Sequence, residues 1–367
     1  MHAHSHHLRT WVEINKNAFL GNIQALNRAI GPSQLGIVVK GNAYGHGMEL
    51  IAGWAQENPL VDWLFTASSQ EACVLRQQGI TKPICAMTYY DTSYEQVIQA
   101  HVDGVCYSLD MLSKLNQAAA NVGAIARIHL KIDTGMTRLG IEPHEIAAFI
   151  EALKAAPSCR LVGVMSHLSD VDNPDQSFTL QQLQTFDDAI TLIQKHFGYP
   201  LMTHICSSGA LRYAHRYSCS RVGIATYGLG DFPDVQVKPI LQWKTRIIQI
   251  KEVPAGRDVG YGRTYTTHKT QKIAVIPIGY VDGYARALSN KSHVIIHGHA
   301  APLVGRVNMN VCMVDVSALP GVAVGDEVVV ISDSHVEAMV KTLAGKLDSI
   351  PYVVVSSVGE SIERIGV

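Results

Sequence analysis

Lysine, tyrosine, arginine, histidine and serine recur in this sequence at one kind of place, the end of a short apolar run. Lys40 closes "GIVVK" (36–40) and Tyr44 follows it; Lys131, Asp133 and Arg138 lie in or after "ARIHLKID" (126–133). His167 closes "LVGVMSH" (161–167), His204, Ser207 and Ser208 fall at the end of "MTHICS" (202–207), and Arg221, Gly223 and Ile224 lie on "RVGIATY" (221–227). A lysine drawn out of water loses the stabilisation of its charged form, so its pKa falls and the amine becomes a nucleophile toward carbonyls. The cofactor with matching chemistry is pyridoxal phosphate, held by lysine as a Schiff base. Its phosphate needs hydroxyls and backbone N–H groups, and Ser208, Gly223 and Ile224 can supply both.

Singly, each of these residues has a plainer role open to it. Lys40 could be a solvated strand end, and His167 a hydrogen-bonded core histidine. Ser207 or Ser208 could cap a helix, and Arg138 could pair with Asp133. Gly41, Gly45 and Gly47 after Lys40 keep the backbone thin, which would let it approach a cofactor or a partner chain closely. The functional reading gains weight because all these groups converge on strand ends.

The elements that must position them alternate. Between residues 14 and 230, eight apolar runs read as strands: 36–40, 63–67, 83–87, 104–108, 126–133, 161–167, 202–207 and 221–227. The segments between them carry helix signals. Phe19, Ile23, Leu26 and Ile30 recur at spacings of three and four, as do Leu183, Phe186, Ile190, Ile193 and Phe197. Ser68 and Glu71 have capping-box spacing, with Gly79 closing that helix. Ser108 can cap the next, with Met111, Leu115 and Ala118 on one face. Strands alternating with helices predict a parallel sheet, and eight such units predict a closed (β/α)8 TIM-type barrel whose site lies at the C-terminal strand ends. A doubly wound open sheet is the alternative; the missing GxGxxG and GxxxxGK[ST] motifs weaken it.

Near residue 231 the rhythm changes. After "DFPDVQVKPI" come the short runs "RIIQIKEV", "KIAVIPIGY", "HVIIHG", "CMVDVS", "DEVVVIS" and "YVVVSSV", with only 335–349 reading as helix. This predicts a barrel over 14–233 and a mostly β C-terminal domain over 234–367, which residues 8–13 join as a strand.

Composition narrows the function classes. Hydrophobic residues make up 47% and the formal net charge is −1, with no dense basic run. A core is easily supplied, and nucleic acid is disfavoured as a partner. No stretch has membrane-spanning length and "MHAHSHHLRT" has no apolar signal core, so a cytoplasmic protein is expected. Its histidines (His2, His4, His6, His7) read as a tail or tag remnant, and no metal site is expected. Seven cysteines without CxxC spacing read as free, mostly buried thiols.

The motifs also carry a resemblance. "VVKGNAYGHG" is similar to the lysine motif of the alanine racemases, a pyridoxal-phosphate-dependent, fold-type III family. The likeness continues in order through "KIDTGMTRLG", "MSHLSD", "HICSSGA", "SRVGIATYG", "VGYGRTYT", "IPIGYVDGYAR" and "GRVNMN". The resemblance implies a homodimer with shared active sites that interconverts L- and D-alanine and supplies D-alanine for peptidoglycan. Lys40 would carry the cofactor and Tyr261 would come from the partner chain, one base on each face of the substrate. Tyr44, His167, Ser208, Arg221, Gly223 and Ile224 match cofactor-binding positions. Arg138 and the backbone at Met309 match substrate-side groups, and Lys131, His204, Tyr280 and Asn310 match supporting ones. Tyr280 would line the approach channel. Lys131 matches a lysine often carbamylated in relatives, where the new anion could hold Arg138. A free tyrosine is a poor base near neutral pH, so a nearby cation must lower its pKa, with His167 and Arg221 in that network. The matching arginine faces the pyridine nitrogen, disfavouring its protonation and favouring simple reprotonation over transamination.

Two departures stand out. Asn310 replaces the family's usual aspartate after the methionine, which keeps an acceptor and drops a charge. "ESIERIGV" puts Gly366 where the family usually has a tyrosine, so one phosphate or gate contact is either missing or supplied from elsewhere. Four rival readings stand beside this one, among them a barrel with no cofactor at all, which would leave Lys40 and the thin loop after it unexplained. A broad-spectrum racemase shares these motifs but generally lacks the lysine at position 131. A decarboxylase of the same plan would need a Gly-Gly-Gly-type loop and an acidic partner for the pyridine nitrogen. A non-catalytic pyridoxal-phosphate-binding protein would resemble the barrel half alone.

Overall fold

A computed structural model describes residues 9–233 and 235–367; the four N-terminal histidines, Leu8 and Asp234 lie outside the described residues. The first strand, β1 (Thr10–Ile14), leads into a helix, Lys16–Ile30, capped by the Asn15 side chain on the Ala18 amide. That helix buries Phe19, Ile23, Leu26 and Ile30, the face its periodicity predicts.

Eight parallel strands follow: β2 (Gln34–Val38), β3 (Trp63–Ser68), β4 (Ile84–Tyr89), β5 (Asp103–Cys106), β6 (Ala126–Lys131), β7 (Cys159–Met165), β8 (Met202–His204) and β9 (Cys219–Val222). Their order is β8-β7-β6-β5-β4-β3-β2-β9. The remaining seam is drawn together by the Arg221 amide on the Cys206 carbonyl (3.0 Å) and by the Thr203 amide on Ser218 Oγ (3.1 Å). This is the (β/α)8 barrel that the alternation predicts.

The helices start where their caps lie. Ser68 and Glu71 form the capping box of Ser69–Gln77, and Ser108 Oγ accepts from the Met111 amide to open Leu109–Asn121. The second helix buries Leu112, Leu115, Ala118 and Ala119, so its apolar face is turned one residue from the expected Met111 side. Ser177–Gln194 buries Leu183, Phe186, Ala189 and Ile193.

The remaining strands are β10 (Leu241–Arg246), β11 (Gln249–Val253), β12 (Gln271–Ile276), β13 (His293–Ile296), β14 (His299–Pro302), β15 (Cys312–Asp315), β16 (Glu327–Ile331) and β17 (Glu363–Gly366). They form a six-stranded sheet, β14-β13-β16-β10-β1-β17, and a three-stranded one, β11-β12-β15. The run "RIIQIKEV" is therefore not one strand: it breaks at Ile247 and Ile248, and its halves enter different sheets. Among the described residues no helix is long and apolar enough to cross a membrane. All seven cysteines are free; five are buried, and Cys73 and Cys159 half-buried.

Three further local expectations fail. "YVVVSSV" is not a strand: Pro351–Ser356 is a helix. Pro351 occupies its first turn, where a preset φ helps and the missing N–H costs nothing, and Val354 and Val355 are buried on one face. Packing there overrides a β-branched penalty of only tenths of a kcal/mol per residue, roughly. β9 ends at Val222, because Gly223 has a conformation that leaves the sheet and Ile224–Tyr227 winds into a 3-10 turn. β2 ends at Val38, two residues before Lys40.

The glycines after Lys40 face this same chain. At Gly45 (φ +82) an added Cβ would lie 2.0 Å from the Val355 carbonyl oxygen, and at Gly47 one would lie 3.3 Å from Arg364 Cβ. Gly41 (φ +59) has open space around it. We expect Gly45→Ala to lower the unfolding free energy by about 3 kcal/mol or more, and Gly41→Ala by about 1–2 kcal/mol. Denaturant titration of both variants checks this, and equal losses would contradict the packing described.

Candidate active site

Lys40 opens a turn of unusual hand. Gly41, Asn42, Ala43 and Tyr44 all have φ between +51 and +59, so the chain makes a left-handed coil after the barrel's first strand. Each non-glycine residue there costs about 1–2 kcal/mol, which the surroundings must offset. Asn42 Oδ1 accepts from the Met48 amide at 2.8 Å and starts the helix Met48–Glu57. His46 is fully buried, stacks on Tyr227 at 4.5 Å between centroids and bonds through Nδ1 to the Ala43 and Tyr44 carbonyls. Glu71 accepts from the Gly41 amide (2.7 Å) while its other oxygen takes the Ala67 and Ser68 amides (2.8 and 3.2 Å). The capping box of one helix thus also anchors the residue after Lys40.

The C-terminal strand ends enclose a cleft of about 180 Å³ lined by Lys40, Tyr44, Lys131, Arg138, His167, Ser207, Ser208, Arg221, Gly223 and Ile224, together with Thr88 and Tyr352. Arg221 is 3% exposed. Its Nη1 donates to His204 Nδ1 (3.0 Å) and the His204 carbonyl (2.6 Å). Its Nη2 donates to the Ser166 carbonyl (2.8 Å) and His167 Nδ1 (3.2 Å). The Nε–H has no acceptor among the described residues. At the other end, Ser208 Oγ accepts from the Gly223 and Ala225 amides, and two 3-10 segments begin at Ser208 and Ile224. A Cβ at Gly223 would fall 2.5 Å from Tyr44 Oη, so this cradle exists only with glycine.

Pyridoxal phosphate fits this donor set. Free helix-start amides and the Ser208 and Tyr44 hydroxyls suit its phosphate, the Arg221 Nε–H suits a pyridine nitrogen that keeps its lone pair, and the Lys40 amine suits its aldehyde.

Burial and mutual repulsion set the charges. Burial lowers the Lys40 pKa, helped by Arg138 and opposed by Glu71. Burial, then Arg221 and Arg138, brings Lys131 down to about 7. The same causes hold His167 well below its ordinary range, so it is neutral. Of the two residues expected in that network, Arg221 is the one that carries the charge. Because Arg221 must donate, His167 Nδ1 is an acceptor and its proton sits on Nε2. Burial pushes Tyr44 upward, so its phenol stays protonated.

Asp133 and Arg138 do not pair. Asp133 Oδ1 accepts from the Gly135, Met136 and Thr137 amides, closing the loop on itself. Ser207 precedes a 3-10 helix but makes no side-chain cap. His204 lies beneath the cleft, fully buried. Tyr261, Tyr280, Met309 and Asn310 are not with Lys40 at all. They line a second cleft of about 560 Å³ with Arg286, Arg306 and Asn308, and Tyr261 is 72% exposed. Gly366 does not line this cleft, and a Cβ there would meet Trp54 at 2.6 Å. Sequence reasoning missed Tyr352, whose ring lies 5.9 Å from Tyr44 and lines the mouth in its stead. Pro351 before it was the available signal.

Residues 14–231 match the family model "Alanine racemase, N-terminal domain", and residues 240–366 match "Alanine racemase, C-terminal domain". The alanine racemase of Symbiobacterium thermophilum is 37% identical over 364 residues, 97% of this chain and 96% of its own. Alanine racemase 2 of Caldanaerobacter subterraneus subsp. tengcongensis is 36% identical over 367 residues, 97% of this chain and 94% of its own. Among solved structures, an alanine racemase of Clostridium difficile 630 superposes with a TM-score of 0.92 at 30% identity, covering 98% of this chain and 96% of that one.

The charge balance in the cleft is directly measurable. Unfolded lysine titrates near about 10.4, whereas folded Lys131 does so at about 7. Between those values the unfolded chain holds a proton the folded one has released, so this group's contribution to stability rises with pH. In CO2-free buffer we expect Lys131→Met to unfold with about 2–4 kcal/mol more free energy than wild type near pH 6, the gain shrinking toward pH 10. A pH-independent difference in urea titrations would refute the lowered pKa.

Proposed function

The chain belongs to the alanine racemase family of pyridoxal-phosphate-dependent isomerases, and from that premise we propose that it interconverts L-alanine and D-alanine. The observation that carries the reading is the pairing of a half-buried Lys40 amine, its pKa lowered, with a buried Arg221 that lines the same cleft. Bound pyridoxal phosphate would supply an electron-withdrawing ring that acidifies the substrate's α C–H. Lys40, Tyr44, Ser208, Gly223, Ile224 and Arg221 would hold it, with Tyr352 beside Tyr44.

Racemisation requires a proton to leave one face of a carbon and another to arrive on the opposite face, so two bases are needed. Lys40 Nζ serves one face. Tyr261 Oη serves the other, brought by a second copy of the chain. The exposure of Tyr261, Tyr280, Val281 and Met309 on one chain supports such a docking. His167 Nε2–H is then a donor that stabilises the tyrosine's anion, backed by the fixed charge of Arg221. The Met309 backbone and Arg138 would hold the substrate carboxylate and its surroundings. Lys131, with a pKa near 7, is neutral often enough to take up CO2, and the resulting carbamate would neutralise Arg138. A cytoplasmic enzyme feeding D-alanine to peptidoglycan is consistent with seven free thiols. Asn310 is the one observation favouring a broader substrate range.

Circular dichroism of the cofactor-loaded protein should show L- and D-alanine converging on the racemate, with L-serine much slower. Comparable serine rates would move the protein to the broad-spectrum reading, and no turnover with cofactor bound would refute racemisation. Lys40→Ala and Tyr261→Phe should each be inactive as purified. Mixed, unfolded and refolded together in equal amounts, they should recover about a quarter of wild-type activity, because half the dimers then carry one intact site. No recovery would rule out a tyrosine acting across the interface.

A further inference from the structure

Barrels of this kind are usually filled by layers of branched aliphatic side chains. This one has an apolar part (Val38, Phe65, Cys85, Met87, Val105, Met165 and Cys219), but a polar column runs beside it. Arg127, His129 and Lys131 alternate along β6 and so share one face of it, from the strand's start to the cleft. At the far end, Asp103 on β5 takes a two-point contact from Arg127 (2.7 and 3.1 Å). Asp103 Oδ2 lies 3.3 Å from His129 Nε2, His129 Nδ1 lies 2.9 Å from His204 Nε2, and His204 Nδ1 lies 3.0 Å from Arg221 Nη1. Both histidines are 0% exposed, Asp103 is 4% and Arg221 3%.

Such a column is costly to bury unless every member is satisfied. Its ends decide its order. A guanidinium can only donate and an ionised carboxylate can only accept. Burial works against the Asp103 charge, but the hydrogen bonds from His129 and Arg127 hold its pKa below the ordinary value. One proton arrangement then satisfies all four members: Arg221 donates to His204 Nδ1, His204 Nε2–H to His129 Nδ1, and His129 Nε2–H to Asp103. A proton on His204 Nδ1 would face Arg221 donor against donor, and a doubly protonated His129 would force that arrangement. Arg221 itself touches no carboxylate among the described residues, so Asp103 is the anion its bonds lead to.

We propose that Asp103 and His129 are positioning residues for the cofactor's ring nitrogen. The carboxylate fixes the tautomers of His129 and His204, and that order holds the Arg221 guanidinium in the orientation that keeps its Nε–H on the cleft. This rests on the reading of the cleft as a pyridoxal phosphate site. A wrong tautomer at His204 would push Arg221 away and release that donor.

Two measurements test it on the cofactor-loaded full chain. Two-bond 1H–15N spectra with 15N-histidine, assigned with His129→Gln, should show His129 and His204 each carrying its proton on Nε2 and not on Nδ1. An imidazolium pattern or an Nδ1–H tautomer at either would overturn the proposal. Asp103→Asn and His129→Leu should lower kcat about tenfold or more, leave KM for alanine within about twofold, and shift the visible band of the bound cofactor. His129→Gln offers a donor and an acceptor at similar reach, and should restore both kcat and the band. Variants that lose only thermal stability, with kcat and band unmoved, would make the column merely structural and defeat the idea. Inactive wild-type protein would refute the racemase reading instead, and the tautomer spectra would still report on the column.

Discussion

A positive charge that cannot leave is the constraint on which this cleft depends. Arg221 is buried in the barrel with no carboxylate against it among the described residues, and a guanidinium does not give up its proton at any pH a protein survives. Its neighbours must adjust instead. After burial itself, Arg221 is the largest cause lowering Lys131, His167 and His204, and a smaller one at Lys40. Burial first, and this fixed cation after it, turn Lys131 toward the neutral amine and His167 and His204 into directional hydrogen-bond partners, while at Lys40 burial and Arg138 weigh more. Ordinary aqueous pKa values would leave the lysines as ammonium ions, useless as nucleophiles.

The second constraint is mechanical. Lys40 is held by a left-handed coil that no propensity favours, so the coil persists only because other elements over-determine it. Glu71 grips its first amide, His46 wedges beneath its carbonyls, and Arg364 donates to the Gly45 carbonyl at 3.1 Å. Gly45 also abuts the helix that carries Tyr352. The position of the Lys40 amine is therefore tied to residues 351–364 as much as to the barrel.

Much of this was legible in the sequence, and the gaps have physical causes. The eight barrel strands and their capped helices show in periodicity, because burial imposes it. The convergence of Lys40, Lys131, His167, Ser208 and Arg221 follows once a barrel is assumed, since strand ends must meet. Tyr352 was hidden because three valines in a row mimic a strand, and only packing reveals the helix. The left-handed hand of Ala43 and Tyr44 has no compositional signal, as neither residue prefers it. Asp103 and His129 were overlooked because a barrel's interior is expected to be apolar. Their placement depends on a strand register that one sequence does not display.

The chain's first strand has a consequence for how the molecule is made. β1 lies between β10 and β17, with Val12 opposite Trp243 on one side and Arg364 on the other. Its partners are separated from it by more than half of the chain, so during synthesis it emerges long before either of them. The barrel's strands and helices make their contacts with near neighbours and can assemble while the rest is still being translated. The N-terminal segment must meanwhile wait for residues 241–246 to pair it on one side and for residues 363–366 to pair it on the other. Only then does the six-stranded sheet close, and with it the Arg364 contacts that brace the lysine turn. A ribosome-bound chain whose residues 363–366 are still unreleased can therefore hold a formed barrel without yet holding the braced turn at Lys40.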